Sequence, residues 1–292
     1  MKTVTITHDE GLRSFQNKPL VAALGFFDGV HLGHQKVIQT AKQIAKEKGM
    51  NLAVLTFFPH PQEVLSRGKQ KVHYLEPLSS KKEKFAKIGV DILYVIRFDL
   101  NFASLSPQQF IKEYIVGLNI QHVVAGFDFT YGYRGKGNMQ RMKEDGKGHF
   151  DVTIVSKFSK VDQKVSSTLI REKLSSGEVS EIQDYLGEPY ETVGQIYSIT
   201  SKLTKSYINA AINMKPFYML PKPGFYSIKA IMDHDPYNGV CYVPVEENKK
   251  AIISIEKECA MKIAPNKEIR LKWLRRINGL YMSSNVKHLN VM

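Results

Sequence analysis

Two histidines three residues apart, His31 and His34, stand in the run Leu24-Gly25-Phe26-Phe27-Asp28-Gly29-Val30-His31-Leu32-Gly33-His34. Imidazoles at this spacing can donate hydrogen bonds to phosphate oxygens. Gly29 and Gly33 lack a β-carbon, so a bulky ligand can come close to the backbone there. Residues 21–27 read as a buried parallel strand and residues 35–48 carry helical periodicity. The pair therefore falls where a strand turns into a helix, and backbone N–H groups at a helix N-terminus are oriented to receive an anion. The arrangement reads as a cradle for a triphosphate. A satisfied core pair would not call for three glycines (Gly25, Gly29 and Gly33) around one turn. A shared zinc would need Cys or Glu ligands that the run lacks, so no metal ligand set is expected.

The elements that position this turn alternate between strand-like and helix-like through residues 1–186, the pattern of a parallel α/β sheet. Strands are expected at residues 51–58, 91–98, 121–127 and 151–158, and helices at 81–87 and 107–118. Ser106-Pro107 is a good helix start, a capping hydroxyl ahead of a proline at the first helical position. Parallel strands bind ligands outside their C-terminal ends. Three further groups of suggestive residues fall there. Thr56-Phe57-Phe58-Pro59-His60-Pro61 offers aromatic walls on a turn stiffened by two prolines. Gly126-Phe127-Asp128-Phe129-Thr130-Tyr131-Gly132 sets an acid between aromatics, which can bond the polar edge of a heterocycle while rings pack on its face. The basic loop after it, with Arg134 and Lys136, suits closure over phosphates. Ser166-Ser167-Thr168-Leu169-Ile170-Arg171 looks like an N-cap cluster whose terminus could bind a phosphate, with Arg171 as its cation. Neither a P-loop nor a Gly-x-Gly-x-x-Gly fingerprint is present.

From about Gly187-Glu188-Pro189 the texture changes. Shorter strands are expected at residues 193–200, 224–232 and 251–256, as in a small β-barrel or sandwich with a terminal helix. The composition, 43% hydrophobic and 24% charged over 292 residues, supplies ample core material. No segment is apolar enough to span a bilayer, and the first ten residues have no apolar signal core. The only two cysteines, Cys241 and Cys259, form no Cys-x-x-Cys pair, so a cytoplasmic location and no membrane partner are expected. The net charge of +13 favours anionic partners and is shared by residues 1–186 (+7) and 187–292 (+6). Its densest cluster, Lys267 to Arg276, reads as a solvated basic face rather than a nucleic-acid groove.

These four groups of residues, in this order, resemble the bacterial family that joins riboflavin kinase to FAD synthetase. Its N-terminal half is an FMN adenylyltransferase of the nucleotidyltransferase α/β class, a Rossmann-like parallel sheet, followed by a small riboflavin-kinase-like β-barrel. The family's motifs match residues 25–34, 56–61, 126–132 and 166–171, with Tyr131 as a mild change and Leu169 where many members have arginine. The resemblance implies transfer of AMP from ATP to FMN, giving FAD and pyrophosphate, with Mg²⁺ accompanying ATP. It implies that His31 and His34 bind the triphosphate and the transition state, and that Arg171 and Ser167 hold the departing pyrophosphate. Gly25, Phe26, Phe27, Asp28, Gly29, Gly33, Gly126, Ser166 and Thr168 would complete the ATP site. Phe58, Pro59, His60, Asp128, Phe129, Tyr131 and Arg134 would face the flavin. The domains expected are residues 1–186 and 187–292.

The second half departs from the family. Its Leu-Pro-x-x-Gly-x-Tyr run is present as residues 220–226, but the earlier Pro-Thr-Ala-Asn motif is replaced by Ala210-Ala211-Ile212-Asn213. The threonine hydroxyl that should help hold Mg-ATP is lost at Ala211, while Asn213 survives. The kinase glutamate has no clear equivalent, with Glu256 a candidate only through a shifted alignment. Loss of the kinase activity is therefore expected. The alternatives are a bifunctional enzyme with substitute residues, a flavin-sensing RNA-binding regulator, and an adenylyltransferase for a nicotinamide or pantetheine phosphate.

Overall fold

The computed structural model describes residues 1–8, 18–160, 163–200, 207–245, 250–256 and 263–277. The chain divides into two compact units. The first comprises Met1–Val72 and Leu78–Val165, the second His73–Pro77 and Ser166–Met292.

The first unit runs β1 (Lys2–Ile6), β2 (Leu20–Leu24), a 3-10 turn (Asp28–Val30), α1 (Leu32–Lys48), β3 (Asn51–Phe58), α2 (Pro61–Leu65), α3 (Leu78–Ile88), β4 (Ile92–Arg97), α4 (Leu100–Ala103) and α5 (Pro107–Phe110). It continues with β5 (Ile120–Gly126), β6 (Thr130–Tyr131), β7 (Gly137–Asn138), α6 (Met139–Asp145), β8 (Asp151–Val155), β9 (Ser159–Lys160) and β10 (Gln163–Lys164). Six strands form one parallel sheet in the order β1-β4-β3-β2-β5-β8. All five residues of β2 are buried. Its side chains alternate between two cores. Val21 and Ala23 pack with Val37, Ile38, Ala41 and Ala45 of α1, while Leu20, Ala22 and Leu24 pack with Phe110, Tyr114 and Ile115 on the other face. Because β3 and β5 flank β2 and the chain leaves in opposite directions from them, β2/β5 is a topological switch point. In open parallel sheets ligands bind at such a point, outside the strand C-termini.

The expected parallel sheet is present, with shifted ends. The strand expected over 21–27 stops at Leu24, and Phe27 adopts a left-handed φ of 54°. The helix expected from 35 begins at Leu32, which puts His34 inside its first turn. Ser106 caps α5 as expected, its Oγ accepting from the Gln109 N–H at 3.2 Å while Gln109 Oε1 accepts from the Ser106 N–H at 2.8 Å. Beyond Phe110, however, residues Ile111–Val116 widen into a π-helical turn. The periodicity does not announce β1, an edge strand whose only buried residue is Ile6.

The second unit holds α7 (Ser167–Ser176), α8 (Val179–Leu186), β11 (Glu191–Thr200), β12 (Tyr207–Met214), β13 (Gly224–Met232), β14 (Asp235–Val243), β15 (Lys250–Glu256) and β16 (Glu268–Ile277). The six strands close an antiparallel barrel in the order β11-β12-β15-β14-β13-β16. Its core includes Trp273, fully buried, whose Nε1–H donates to Thr192 Oγ1 at 3.0 Å. The basic cluster at 267–276 runs along the barrel strand β16, with its cations outward and apolar residues between them. Ile269, Leu271 and Trp273 point into the core, which separates the cations between them. Lys267 pairs with Asp233, Arg270 with Glu191 at 3.3 Å, and Arg276 donates to the carbonyls of Ser176 and Pro223 at 3.3 and 3.1 Å. The stretch following Ile277, where any terminal helix would fall, lies outside the described residues.

Candidate active site

The turn after β2 is built by close packing. A β-carbon on Gly25 would lie 2.8 Å from the Phe27 ring, so only glycine lets that ring fold back into the core. Phe27 is buried and meets His34 edge-on at 5.3 Å and Phe85 of α3 at 5.9 Å. Gly29 (φ 79°) and Val30 (φ 42°) continue the left-handed path begun at Phe27. Val30 is β-branched and disfavours that region, so the turn is strained and must be held by its surroundings. Asp28, within it, is 2% exposed.

The chain emerges from this turn at His31, the N-cap of α1. His31 Nδ1 accepts the backbone N–H of His34 at 3.2 Å. The two imidazoles stack with centroids 3.5 Å apart and planes 16° from parallel. Burial is the main cause that pushes the His31 pKa down to about 4. Lys164 pushes the same way, while a hydrogen bond to its own backbone and the charge of Asp128 oppose it. His34 is held well below the ordinary imidazole range, first by burial and then by His31 and Lys81. Both rings are neutral at pH 7. Since the Nδ1 of His31 is an acceptor, its proton sits on Nε2, which is a donor. His34 Nδ1 is enclosed and has no hydrogen-bond partner among the described residues.

Around this pair stand the neighbouring strand ends. Phe26 meets His60 edge-on at 4.5 Å, and His60 caps α2 by accepting the Gln62 N–H at 3.1 Å. Phe58 and Pro59, joined by a cis peptide bond, close β3. After β5, the Phe129 N–H donates to the Gly126 carbonyl at 3.0 Å, a tight turn that exposes Asp128. Asp128 is paired with Lys164 of β10 at 2.6 Å, and Lys164 also lies 4.9 Å from the Phe127 ring. Tyr131 lies deeper than a surface contact. It is 5% exposed and packs on Phe110, while Phe129 stacks over it at 6.3 Å. Arg134 and Lys136 both lie over Tyr133, at 5.3 and 5.7 Å. Among the described residues no group of three or more His, Cys, Asp and Glu gathers as a metal-binding set.

The remaining predicted residues belong to the second unit. Ser166 Oγ accepts the Leu169 N–H at 3.2 Å and caps α7, which opens with Ser167 and Thr168. Arg171, one turn on, donates from Nε to the His73 carbonyl at 3.4 Å.

Residues 14–169 match the family model described as FAD synthetase. The chain belongs to the FAD synthetase family. Across 99% of its length it is 42% identical to the bifunctional riboflavin kinase/FMN adenylyltransferase of Bacillus subtilis (strain 168), covering 94% of that protein. It is 45% identical over 244 residues to the protein of the same description from Listeria monocytogenes, covering 83% of this chain and 78% of that one. A Listeria monocytogenes FAD synthetase is 29% identical over 72% of this chain and 81% of its own. In three dimensions, a Streptococcus pneumoniae structure named a macrolide-efflux protein aligns with a TM-score of 0.81 at 25% identity, covering 95% of this chain and 91% of its own. Among the described residues no helix is long and apolar enough to cross a membrane.

Two residues beside the His31–His34 turn have no place in the sequence motifs. Lys164 is carried to Asp128 by the β9–β10 hairpin, which no local pattern marks. Lys81 is 0% exposed on α3, with its Nζ 3.1 Å from the Phe26 carbonyl and 4.5 Å from the Phe26 ring centroid. Its signal was present, for Leu78, Lys81, Phe85 and Ile88 share one helical stripe whose other three members are apolar.

Proposed function

We propose that this chain is an FMN adenylyltransferase that transfers AMP from Mg-ATP to FMN. A phosphate oxygen of FMN forms a bond to the α-phosphorus of ATP. The bond from that phosphorus to the bridging oxygen of the β-phosphate breaks, and its electron pair leaves with pyrophosphate. The attacking oxygen is already an anion, so no protein nucleophile is needed. The protein aligns the reactants and stabilises charge. The observation that carries this reading is the stacked, neutral His31–His34 pair at the start of α1, with a buried imidazole nitrogen lacking a described partner. Neutral imidazoles donate to phosphoryl oxygens through N–H without competing for the metal's counter-charge.

In this proposal His31 and His34 bind the triphosphate and the transition state, and the backbone and side chains from Gly25 to Gly33, with Gly126, Ser166 and Thr168, form the ATP site. Ser167 and Arg171 hold the pyrophosphate. Phe58, Pro59, His60, Asp128 and Phe129 face the flavin, with Tyr131 supporting Phe129 from beneath and Arg134 beside the phosphate. Residues 1–186 carry the adenylyl transfer in the cytoplasm. The barrel of residues 187–292 keeps the fold of a riboflavin kinase without its activity. Support for that loss comes from β12, where Ala211 and Asn213 lie on the strand in the order of the altered motif and no hydroxyl stands at Ala211.

The test is chromatography of two reactions run in parallel with Mg-ATP, one supplied with FMN and one with riboflavin. FAD with equimolar pyrophosphate is expected from the first, and no FMN from the second. Absence of FAD would refute the adenylyltransferase reading. Robust FMN formation from riboflavin would refute the loss of the kinase alone.

A further inference from the structure

Lys81 is the one lysine of α3 enclosed completely, and an enclosed ammonium is costly unless it is used. Its Nζ donates to the carbonyl of Phe26 at 3.1 Å. The same carbonyl accepts from Thr56 Oγ1 of β3 at 2.9 Å, and Thr56 is itself 0% exposed. Phe26 immediately precedes the left-handed residue Phe27, so two buried donors from two different elements grip the last peptide before the strained turn. A second brace comes from the same helix, since Phe85 packs on Phe27, and Phe27 in turn packs on His34. The strain at Phe27, Gly29 and Val30 is thus held from α3 and β3, and what the strained turn delivers is the His31–His34 pair. Lys81 also reaches His34 electrostatically, helping to keep that imidazole neutral.

We propose that Lys81 is a positioning residue for adenylyl transfer, which acts through the Phe26 carbonyl to set the turn that places His31 and His34 against the reacting phosphate. Thr56 is its partner at the same carbonyl. This rests on the adenylyltransferase reading above. Because the histidines would bind more strongly as charge develops, a displaced turn costs turnover rather than substrate binding.

The experiment uses the full-length protein and its variants Lys81→Met, Lys81→Arg and Thr56→Val, with melting temperatures recorded and kinetics taken well below each. In Lys81→Met, kcat for FAD formation is expected to fall about 10- to 100-fold, with KM for ATP and FMN within about threefold of wild type. Lys81→Arg should recover much of the loss. Thr56→Val should reproduce it in milder form and serves if Lys81→Met does not fold. A kcat within twofold of wild type in the folded variants, or a loss confined to KM, would overturn the proposal. A second readout needs no substrate, since ¹⁵N-histidine spectra should show the ring signals of His31 and His34 displaced in Lys81→Met and in Thr56→Val. Unchanged ring signals in the folded variants would overturn the proposal even if the wild-type protein made no FAD, whereas wild-type inactivity alone would strike the functional reading and not this one.

Discussion

The sheet unit and the barrel bury polar groups of different kinds. At the C-terminal edge of the sheet lie Asp28, His31, Thr56 and Lys81, all less than 9% exposed, and three of the four are titratable. In the barrel strands the buried polar residues are Thr192, Asn209 and Ser254, every one neutral. Thr192 satisfies Trp273, and Asn209 and Ser254 face each other in register on β12 and β15. Burying neutral polar groups in this way serves a fold. Burying an acid, a base and an ammonium around one turn is expensive, and natural chains often keep such arrangements where chemistry is done. The contrast sets this edge of the sheet apart from the barrel strands.

The strongest way to break the contrast is to remove the histidines. His31→Ala and His34→Ala are each expected to lower FAD turnover by about 10²-fold or more, the scale for losing one transition-state donor. The check is initial-rate chromatography of FAD from FMN and Mg-ATP. Turnover near wild type in both variants would place the chemistry elsewhere in the molecule.

That pair was legible in the sequence because its residue types are rare together and sit on a strand-to-helix turn. The parallel sheet was legible too, since β2, β3, β4 and β5 are runs of Val, Leu, Ala and Ile bounded by Gly and Pro. What hid was set by tertiary structure. A lysine in Leu-Ser-Ser-Lys-Lys-Glu-Lys-Phe looks like solvent-facing helix; the stripe of Leu78, Phe85 and Ile88 runs through Lys81, and packing against Phe26 shows that it is enclosed while Lys82 is not. The β2 strand ends early because Phe27 turns left-handed, a backbone choice made possible by Gly25 rather than by any propensity of phenylalanine. In the barrel, β16 was masked by its charges. Local charge density says surface, but a strand alternates, and Ile269, Leu271 and Trp273 held the other face.

Acid should separate the two units next. His31 has its pKa lowered from 6.5 to about 4, chiefly by burial, and His34 is also held well below 6.5 by burial and neighbouring charge. A depressed histidine leaves the unfolded chain binding more protons between those values. Stability is therefore fully present above about pH 6.5 and is lost as pH falls toward 4. The His31 shift alone corresponds to about 3 kcal/mol as an upper bound. No described barrel strand contains a histidine. Hydrogen exchange at pH 5 against pH 7 is thus expected to speed up in β2 and α1 well before β12 and β15. His31→Gln should flatten the acid slope. Equal acceleration in the sheet and the barrel would show that the buried imidazoles are not what acid attacks.

The smallest effects come from two exposed ion pairs that look alike. Lys164–Asp128 in the sheet unit spans 2.6 Å with side chains 40% and 55% exposed, and Lys215–Glu268 in the barrel spans 2.5 Å at 46% and 49%. Solvent screens both, so Lys164→Met and Lys215→Met should each change stability by less than about 1 kcal/mol. Function should tell them apart. Lys164 and Asp128 pull the His31 imidazole in opposite directions, so both stand near the His31–His34 pair. Losing the lysine there should raise KM for FMN about two- to fivefold in low salt, with the difference shrinking as ionic strength rises. Lys215→Met should leave KM and kcat where they were. Two contacts with the same geometry and nearly the same exposure would then differ only in what they stand beside. If both variants shifted KM equally, the ion pairs would be acting through net charge rather than through place, and the division of labour between sheet and barrel would lose this part of its support.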